Sequence, residues 1–315
     1  LMISATDYDK LGLCVEGGNL SDNKLKQTEV PQSSKKDFWL SLPQYCLPQH
    51  ALSKLMHWIC RIRNTWFKNK LISLIIRQYN VDMTEAIQSD VNAYEHFNAF
   101  FTRKIKSHVR PIALGHDVLV SPVDGCLSQI GFIEQGRILQ AKGHDYSTLE
   151  LLGGDAELAA KFEGGHFANI YLSPRDYHRI HMPVSGKLTR MRYLPGKLFS
   201  VNPRTVRGVP RLFARNERVV TVFETDFGPV ALILVGAIFV GSMETVWHEG
   251  EITPPYTKDI LDWVYDKSNI RLNKGEEMGR FNMGSTVVLL LPANAPVWKA
   301  DWKAEMTIKL GQALT

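Results

Sequence analysis

The stretch Arg218-Val219-Val220-Thr221-Val222-Phe223, followed after Gly228-Pro229 by Val230-Ala231-Leu232-Ile233-Leu234-Val235, gives two apolar runs of strand length parted by turn residues. Its second half lies in the longest charge-free run of the chain, Phe227 to Met243, whose 17 residues fall short of the roughly 20 that a spanning helix needs. Gly228-Pro229, Gly236 and Gly241 interrupt that run further, so it reads as two buried β-strands. Working outward, Val118 to Val123, Ala168 to Leu172 and Thr286 to Leu291 repeat the pattern, bounded by Gly, Pro, Asp and Asn. One helical stretch, Ser147 to Phe162, interrupts them, and no regular β-α-β alternation calls for a parallel sheet. The expected fold is α+β: N-terminal amphipathic helices, then a mostly antiparallel β-rich body over residues 86–315.

The front of the chain has a different texture. Leu52, Leu55, Met56, Ile59, Ile62 and Trp66 recur at helical spacing, and Phe67, Leu71, Leu74 and Ile75 carry the period to about Tyr79. Lys54, Arg61 and Lys68 repeat every seven residues on another face. The 315-residue chain carries 37 basic and 32 acidic side chains, a formal charge of +5. Residues 51–80 hold six of the cations, Lys54, Arg61, Arg63, Lys68, Lys70 and Arg77, and no acid; without them 31 basic residues face 32 acidic ones. The excess therefore sits in one amphipathic region, residues 38–85, and such a region usually meets an anionic surface. Lys54, Trp58, Arg61, Trp66 and Lys68 are the expected membrane contacts. The plain alternative is a helix packed on its own domain, and nucleic acid fits less well because the body lacks a second basic patch.

Residues 1–37 are polar and aperiodic and read as an extension. Leu1-Met2-Ile3 followed by polar residues lacks the pattern of a secretory signal. Cys14, Cys46, Cys60 and Cys126 have neither disulfide nor zinc spacing, so reduced thiols in a cytoplasmic protein are expected. A composition 44% hydrophobic excludes a disordered chain.

Four segments could carry chemistry: Ser121-Pro122-Val123-Asp124-Gly125, Gly143-His144-Asp145-Tyr146-Ser147, Ser173 to Pro183 with His178 and His181, and Met283-Gly284-Ser285-Thr286. Singly, each is a common turn, and Ser173-Pro174 with Asp176 reads as a helix N-cap with Pro at its first position. Histidines three apart would share a face if the segment were helical, yet zinc wants a third ligand that only distant His144 or Asp124 could supply. An acid, a histidine and a serine also suggest nucleophile activation, which requires Asp124, His181 and Ser285 to converge. Spacing alone does not show that they do.

Ser173 to Pro183, Leu212-Phe213-Ala214-Arg215-Asn216-Glu217-Arg218, Gly241-Ser242-Met243-Glu244-Thr245-Val246-Trp247 and Met278 to Thr286 together resemble bacterial phosphatidylserine decarboxylase, over nearly all of the chain after residue 38. The family branch in question carries Leu-Gly-Ser-Thr at its processing site; here Met283 stands where that branch has leucine. The resemblance implies a proenzyme that turns phosphatidylserine into phosphatidylethanolamine and CO2. Decarboxylating an α-amino acid leaves electrons on Cα that no ordinary side chain accepts. By resemblance the sink is a covalent pyruvoyl group and not pyridoxal phosphate or a metal. Ser285 attacks the Gly284 carbonyl, the peptide becomes an ester, and elimination leaves a pyruvoyl group that forms a Schiff base with the substrate amine. Cleavage between Gly284 and Ser285 yields a large chain and a small chain, residues 285–315, that stay associated. Asp124 and His181 are the self-cleavage partners of Ser285, and His178 serves decarboxylation. The implied setting is the cytoplasmic face of the cell membrane, peripherally bound, and a homodimer is compatible with it. A Ser-His-Asp hydrolase of lipid esters with an uncleaved chain, or a membrane-docked carrier domain without activity, are the competing readings.

Overall fold

A computed structural model describes residues 35–141, 143–239, 242–253, 257–284 and 286–315. The extension up to residue 34 and Ser285 lie outside the described residues. Among the described residues fourteen strands follow in chain order: β1 (Gly125–Phe132), β2 (Arg137–Ala141), β3 (His144–Ser147), β4 (His166–Tyr171), β5 (Arg179–His181), β6 (Gly186–Leu194), β7 (Arg218–Thr225), β8 (Gly228–Val235), β9 (Met243–Thr245), β10 (Leu261–Val264), β11 (Arg271–Leu272), β12 (Glu277–Phe281), β13 (Thr286–Leu291) and β14 (Thr307–Ile308). The main sheet runs β10-β6-β7-β8-β13-β4-β1-β14, with β11 also on β6. β5-β12-β9 form a second sheet, β2-β3 a hairpin, and all these pairs are antiparallel, as expected.

The stretch Arg218–Val235 forms the β7–β8 hairpin, closed where Thr225 pairs Gly228. Gly228 takes φ of 95°, a conformation that costs glycine least. The continuous apolar runs are explained by burial on both faces. Val219, Leu232, Leu234, Val287 and Leu289 pack with Ile180, Met278 and Phe281 of the small sheet and with Met182 just after β5. Val220, Ala231, Ile233, Val288 and Leu290 pack with Tyr146, Leu151, Phe162 and Phe213 on the opposite side.

Two local expectations are corrected. Val118 to Val123 forms no strand: Val120 makes one isolated bridge to Ala313, and Pro122 cannot donate to a ladder. Ser147 to Phe162 holds two short helices, Thr148–Leu151 and Ala156–Ala160, split at Gly153-Gly154, both at positive φ. The first is opened by a capping box between Ser147 and Glu150.

At the front, helices span Lys35–Ser41, Pro43–Cys46, Gln49–Ile59, Thr65–Tyr79 and Phe97–Phe101. Helix thus begins within the segment read as extension, and Asp37 pairs with Arg207 at 2.9 Å. The period from Leu52 to Tyr79 is broken once, because Asn64 caps a new helix by accepting from the Phe67 N–H. Cys60, Ile72, Ile75, Val81, Tyr94, Phe97, Phe100 and Phe101 form a separate core under these helices, with Met283 packed against it.

The Gln49–Ile59 helix presents its polar side to the body. Its buried residues are Gln49 and Ser53: the Gln49 side-chain oxygen accepts from the Leu198 N–H, and the Ser53 hydroxyl from the Phe239 N–H. Leu55 and Trp58 are left exposed. Of the five expected membrane contacts, Lys54, Trp58 and Trp66 are exposed. Lys68 is not: it is 4% exposed, and its ammonium donates to Asn69 and to the Asn92 carbonyl. Arg61 is half-buried and pairs with Glu251, and Arg63 pairs with Glu95. The acids missing from the basic window in sequence are supplied by other elements.

Candidate active site

β12 ends at Phe281 and β13 begins at Thr286, so Asn282 to Ser285 links the small sheet to the centre of the large one. The strand ahead of the link pairs with β5, and the Phe281 N–H donates to the His178 carbonyl. This pairing carries His178 to the link. A Cβ built on Gly284 would stand 3.2 Å from His178 Nε2 and 3.4 Å from the Leu172 carbonyl oxygen. Met283, just before it, is held at φ 108°, a region costly to any residue with a side chain.

His178 is fully buried. Its Nδ1 lies 2.8 Å from the Asp176 carbonyl oxygen, which can only accept, so the proton sits on Nδ1 and Nε2 presents a lone pair. That Nε2 has no partner among the described residues. Burial drives the His178 pKa down to about 3, and the nearby Arg103 guanidinium pushes the same way, so the ring is neutral at ordinary pH. That lies far below the value near 6.5 of an unperturbed imidazole.

The Ser173–Pro183 segment is not helical around its histidines. Asp176 folds back so that its carboxylate accepts from the Ser173 N–H and hydroxyl, both at 2.7 Å, in a turn that leads directly into β5. In extended chain, residues three apart point to opposite faces, so His178 and His181 diverge. His181 Nδ1 donates to the Gly275 carbonyl at 2.8 Å, and its Nε2 accepts from the Tyr177 hydroxyl at 3.2 Å. Burial is the largest influence on it and lowers its pKa.

Asp124 is buried and held elsewhere. Its carboxylate accepts from Arg110 Nε and Nη2, from the Leu310 N–H at 2.8 Å, and faces Lys309 Nζ at 3.6 Å. No hydrogen bond joins Asp124 to His181 among the described residues; the carboxylate acts on both His178 and His181 only through its charge, raising each pKa against the larger effect of burial. Arg110, Lys309 and Gly275, which help to fix the two groups, carry no sequence signal because they come from three separate parts of the chain; Tyr177 lies in the Ser173–Pro183 segment itself.

Beside Gly284 a cavity of about 430 Å³ runs under the front helices. Met56, Cys60, Leu71, Phe97, Phe101 and Met283 contribute to its largely apolar lining. Residues 97–315 match the family model described as phosphatidylserine decarboxylase, and residues 40–80 match a second model described as PSD. The chain belongs to the phosphatidylserine decarboxylase family. It is 54% identical over 284 residues to a phosphatidylserine decarboxylase proenzyme of Nitrosococcus oceani, covering 90% of this chain and 92% of the relative. A proenzyme of the same name from Delftia acidovorans is 56% identical over 274 residues, covering 87% and 95%. For a phosphatidylserine decarboxylase, the apolar cavity, the Gly284 link and the buried lone pair of His178 lie side by side. This chain has no described helix long and apolar enough to cross a membrane.

Proposed function

We propose that this chain is a phosphatidylserine decarboxylase made as a proenzyme, which cleaves itself between Gly284 and Ser285 and then releases CO2 from phosphatidylserine. The observation that carries the reading is the Nε2 of fully buried His178, which has no partner among the described residues, beside Gly284, itself part of the lining of a largely apolar cavity. A buried acceptor without a donor costs free energy on the order of 1–3 kcal/mol, and a site that keeps one has a use for it.

The surroundings of Gly284 suit a pyruvoyl group derived from Ser285, because it would form next to a bare lone pair in a largely apolar setting. That group supplies a carbonyl sink for the electrons left by CO2. His178 orients the reacting head group through Nε2, takes up there the proton that the substrate ammonium must lose to react as an amine, and delivers it to Cα; the Asp176 carbonyl fixes its tautomer. Asp124, His181 and Ser285 remain our self-cleavage set. His181 is neutral and base-competent, with Tyr177 as the hydroxyl that must yield or relay at Nε2. Asp124 holds the Leu310 segment and supplies negative charge nearby, in place of a direct bond to the imidazole. The apolar cavity suits the upper acyl chains of the lipid. Exposed Trp58 and Trp66, together with Lys54, are the surface that rests on anionic lipid; Lys68 and Arg61 are withdrawn from that role. The large and small chains stay together, since β13 is paired on both sides.

The test is CO2 release from phosphatidylserine vesicles by the purified protein. The unaltered chain releases it; Ser285→Ala neither cleaves nor releases it; His178→Ala cleaves but does not release it. CO2 release by Ser285→Ala would refute the pyruvoyl reading, and failure of His178→Ala to cleave would overturn the division of roles.

A further inference from the structure

The link that carries Gly284 is gripped one residue upstream of its strained position. Asn282 is 1% exposed, and every polar group of its side chain is engaged. Its Nδ2 donates to the Ser242 hydroxyl and to Glu244 Oε1, both at 2.6 Å, with Glu251 Oε1 at 3.3 Å. Its Oδ1 accepts from Asn98 Nδ2 at 3.0 Å, and its backbone N–H donates to the Ser242 carbonyl. Glu251 in turn binds His57 Nε2 at 2.7 Å and the Arg61 guanidinium, at the end of the Gln49–Ile59 helix and just past it. Asn98 closes the loop, since its N–H donates to the Cys60 carbonyl. On the far side of the strained residue, the Met283 sulfur lies 3.4 Å from the Cys60 thiol.

A residue with a side chain persists at φ 108° only where its surroundings over-determine it. Here Asn282 fixes the chain before Met283, Cys60 holds its side chain, and β13 fixes the chain after Gly284. We infer that Asn282 and Glu251 are positioning residues for self-cleavage: they form a strap from the front helix to the scissile link that holds Met283 strained and aims the Gly284 carbonyl. This rests on cleavage occurring at Gly284–Ser285. Neither residue touches the reacting atoms; both act through the geometry of the link.

The chemistry of the strap makes it testable by charge. The amide of Asn282 donates towards two carboxylates, Glu244 and Glu251, whose other partners are Arg280, His57 and Arg61. A carboxylate in its place would repel both; a protonated carboxyl could donate to one. The full chain is made by cell-free synthesis, and conversion to two chains is timed from pH 8 to pH 5, each variant against the unaltered chain at the same pH. Asn282→Ala should cleave on the order of 10- to 100-fold more slowly at every pH, as expected when reacting groups are misplaced by about 1 Å, with unchanged far-UV circular dichroism. Asn282→Asp should be as slow at pH 8 and regain rate relative to the unaltered chain towards pH 5. Glu251→Gln, which keeps an acceptor, should be slowed less than Glu251→Ala. Asn282→Ala cleaving at the unaltered rate, or an Asn282→Asp ratio flat with pH, would overturn the strap. An unaltered chain that stays whole would instead overturn the cleavage reading itself, and the strap with it.

Discussion

In the proposed self-cleavage His181 is the base, and its protonation would set the pH at which the proenzyme matures. Burial lowers its pKa, so the neutral, base-competent ring persists below pH 6.5. Self-cleavage timed from pH 8 downward should therefore keep more than half of its plateau rate at pH 6.5 and reach the half-way point only in more acid solution. A rate already halved at pH 6.5 or above would contradict the assignment. Glu217, in the Phe213 to Arg218 segment, behaves in the opposite sense. Burial lifts its carboxyl pKa to about 7, while the Tyr193 hydroxyl donates to it and only partly offsets the rise. The folded state holds a proton there that the unfolded chain releases near pH 4.5, so this stabilisation is full below about 4.5 and lost as pH rises through 7. Glu217→Gln should raise the stability at pH 8 by on the order of 1–3 kcal/mol and leave pH 4.5 nearly unchanged; equal Tm shifts in thermal melts at the two pH values would contradict this. The sequence names His178, His181 and Asp124 as candidates, but it cannot assign their partners. Those depend on a turn closed by Asp176 and on Arg110, Gly275 and Leu310, which meet only in the folded chain.

At the scale of elements, the front helices divide their residues differently from what periodicity suggests. The helical period over Leu52–Tyr79 is visible in the sequence, but which side faces the body is not, because polar Gln49 and Ser53 dock by hydrogen bonds that hydropathy does not register. Nine of the eighteen large hydrophobic side chains exposed among the described residues lie between Phe38 and Leu74, including Trp39, Trp58 and Trp66. In the proposed membrane contact, that concentration favours burial of apolar surface over charge alone as the main source of binding. Replacing Trp58 and Trp66 together by Ala should weaken sedimentation with anionic vesicles at least about 10-fold, at roughly 1.5–3 kcal/mol per aromatic side chain removed from water. Lys68→Ala should leave it unchanged, since that ammonium is bound to Asn69 and Asn92. Vesicle binding lost with Lys68 and kept without the tryptophans would reverse the assignment. The β7–β8 hairpin and β13 are legible because their apolar runs are long and bounded by turn residues. Val118 to Val123 misleads because buried apolar chain next to a proline need not join a ladder.

For the whole molecule, the position of β13 gives the proenzyme its logic. The strand directly after the proposed scissile link lies between β8 and β4, and all six of its side chains are buried. Its new N-terminus would thus be fixed at the moment it forms, with Val287 to Leu291 shared between both cores. β14, also in the small chain, pairs with β1 at the sheet edge. Cutting the chain there leaves every strand pair intact, so cleavage does not require the fold to change. Strand order is what the sequence withholds: nothing in a run such as Thr286 to Leu291 says that it pairs with strands more than fifty and more than a hundred residues earlier. The central claim is that the chain matures by cutting its own backbone at Gly284–Ser285, and the intact mass of the purified protein under denaturing conditions tests it most directly. Two species are predicted, which co-elute under native conditions, the smaller spanning residues 285–315 with a blocked first residue lighter than serine. A single full-length chain that still releases CO2 from phosphatidylserine would contradict the account.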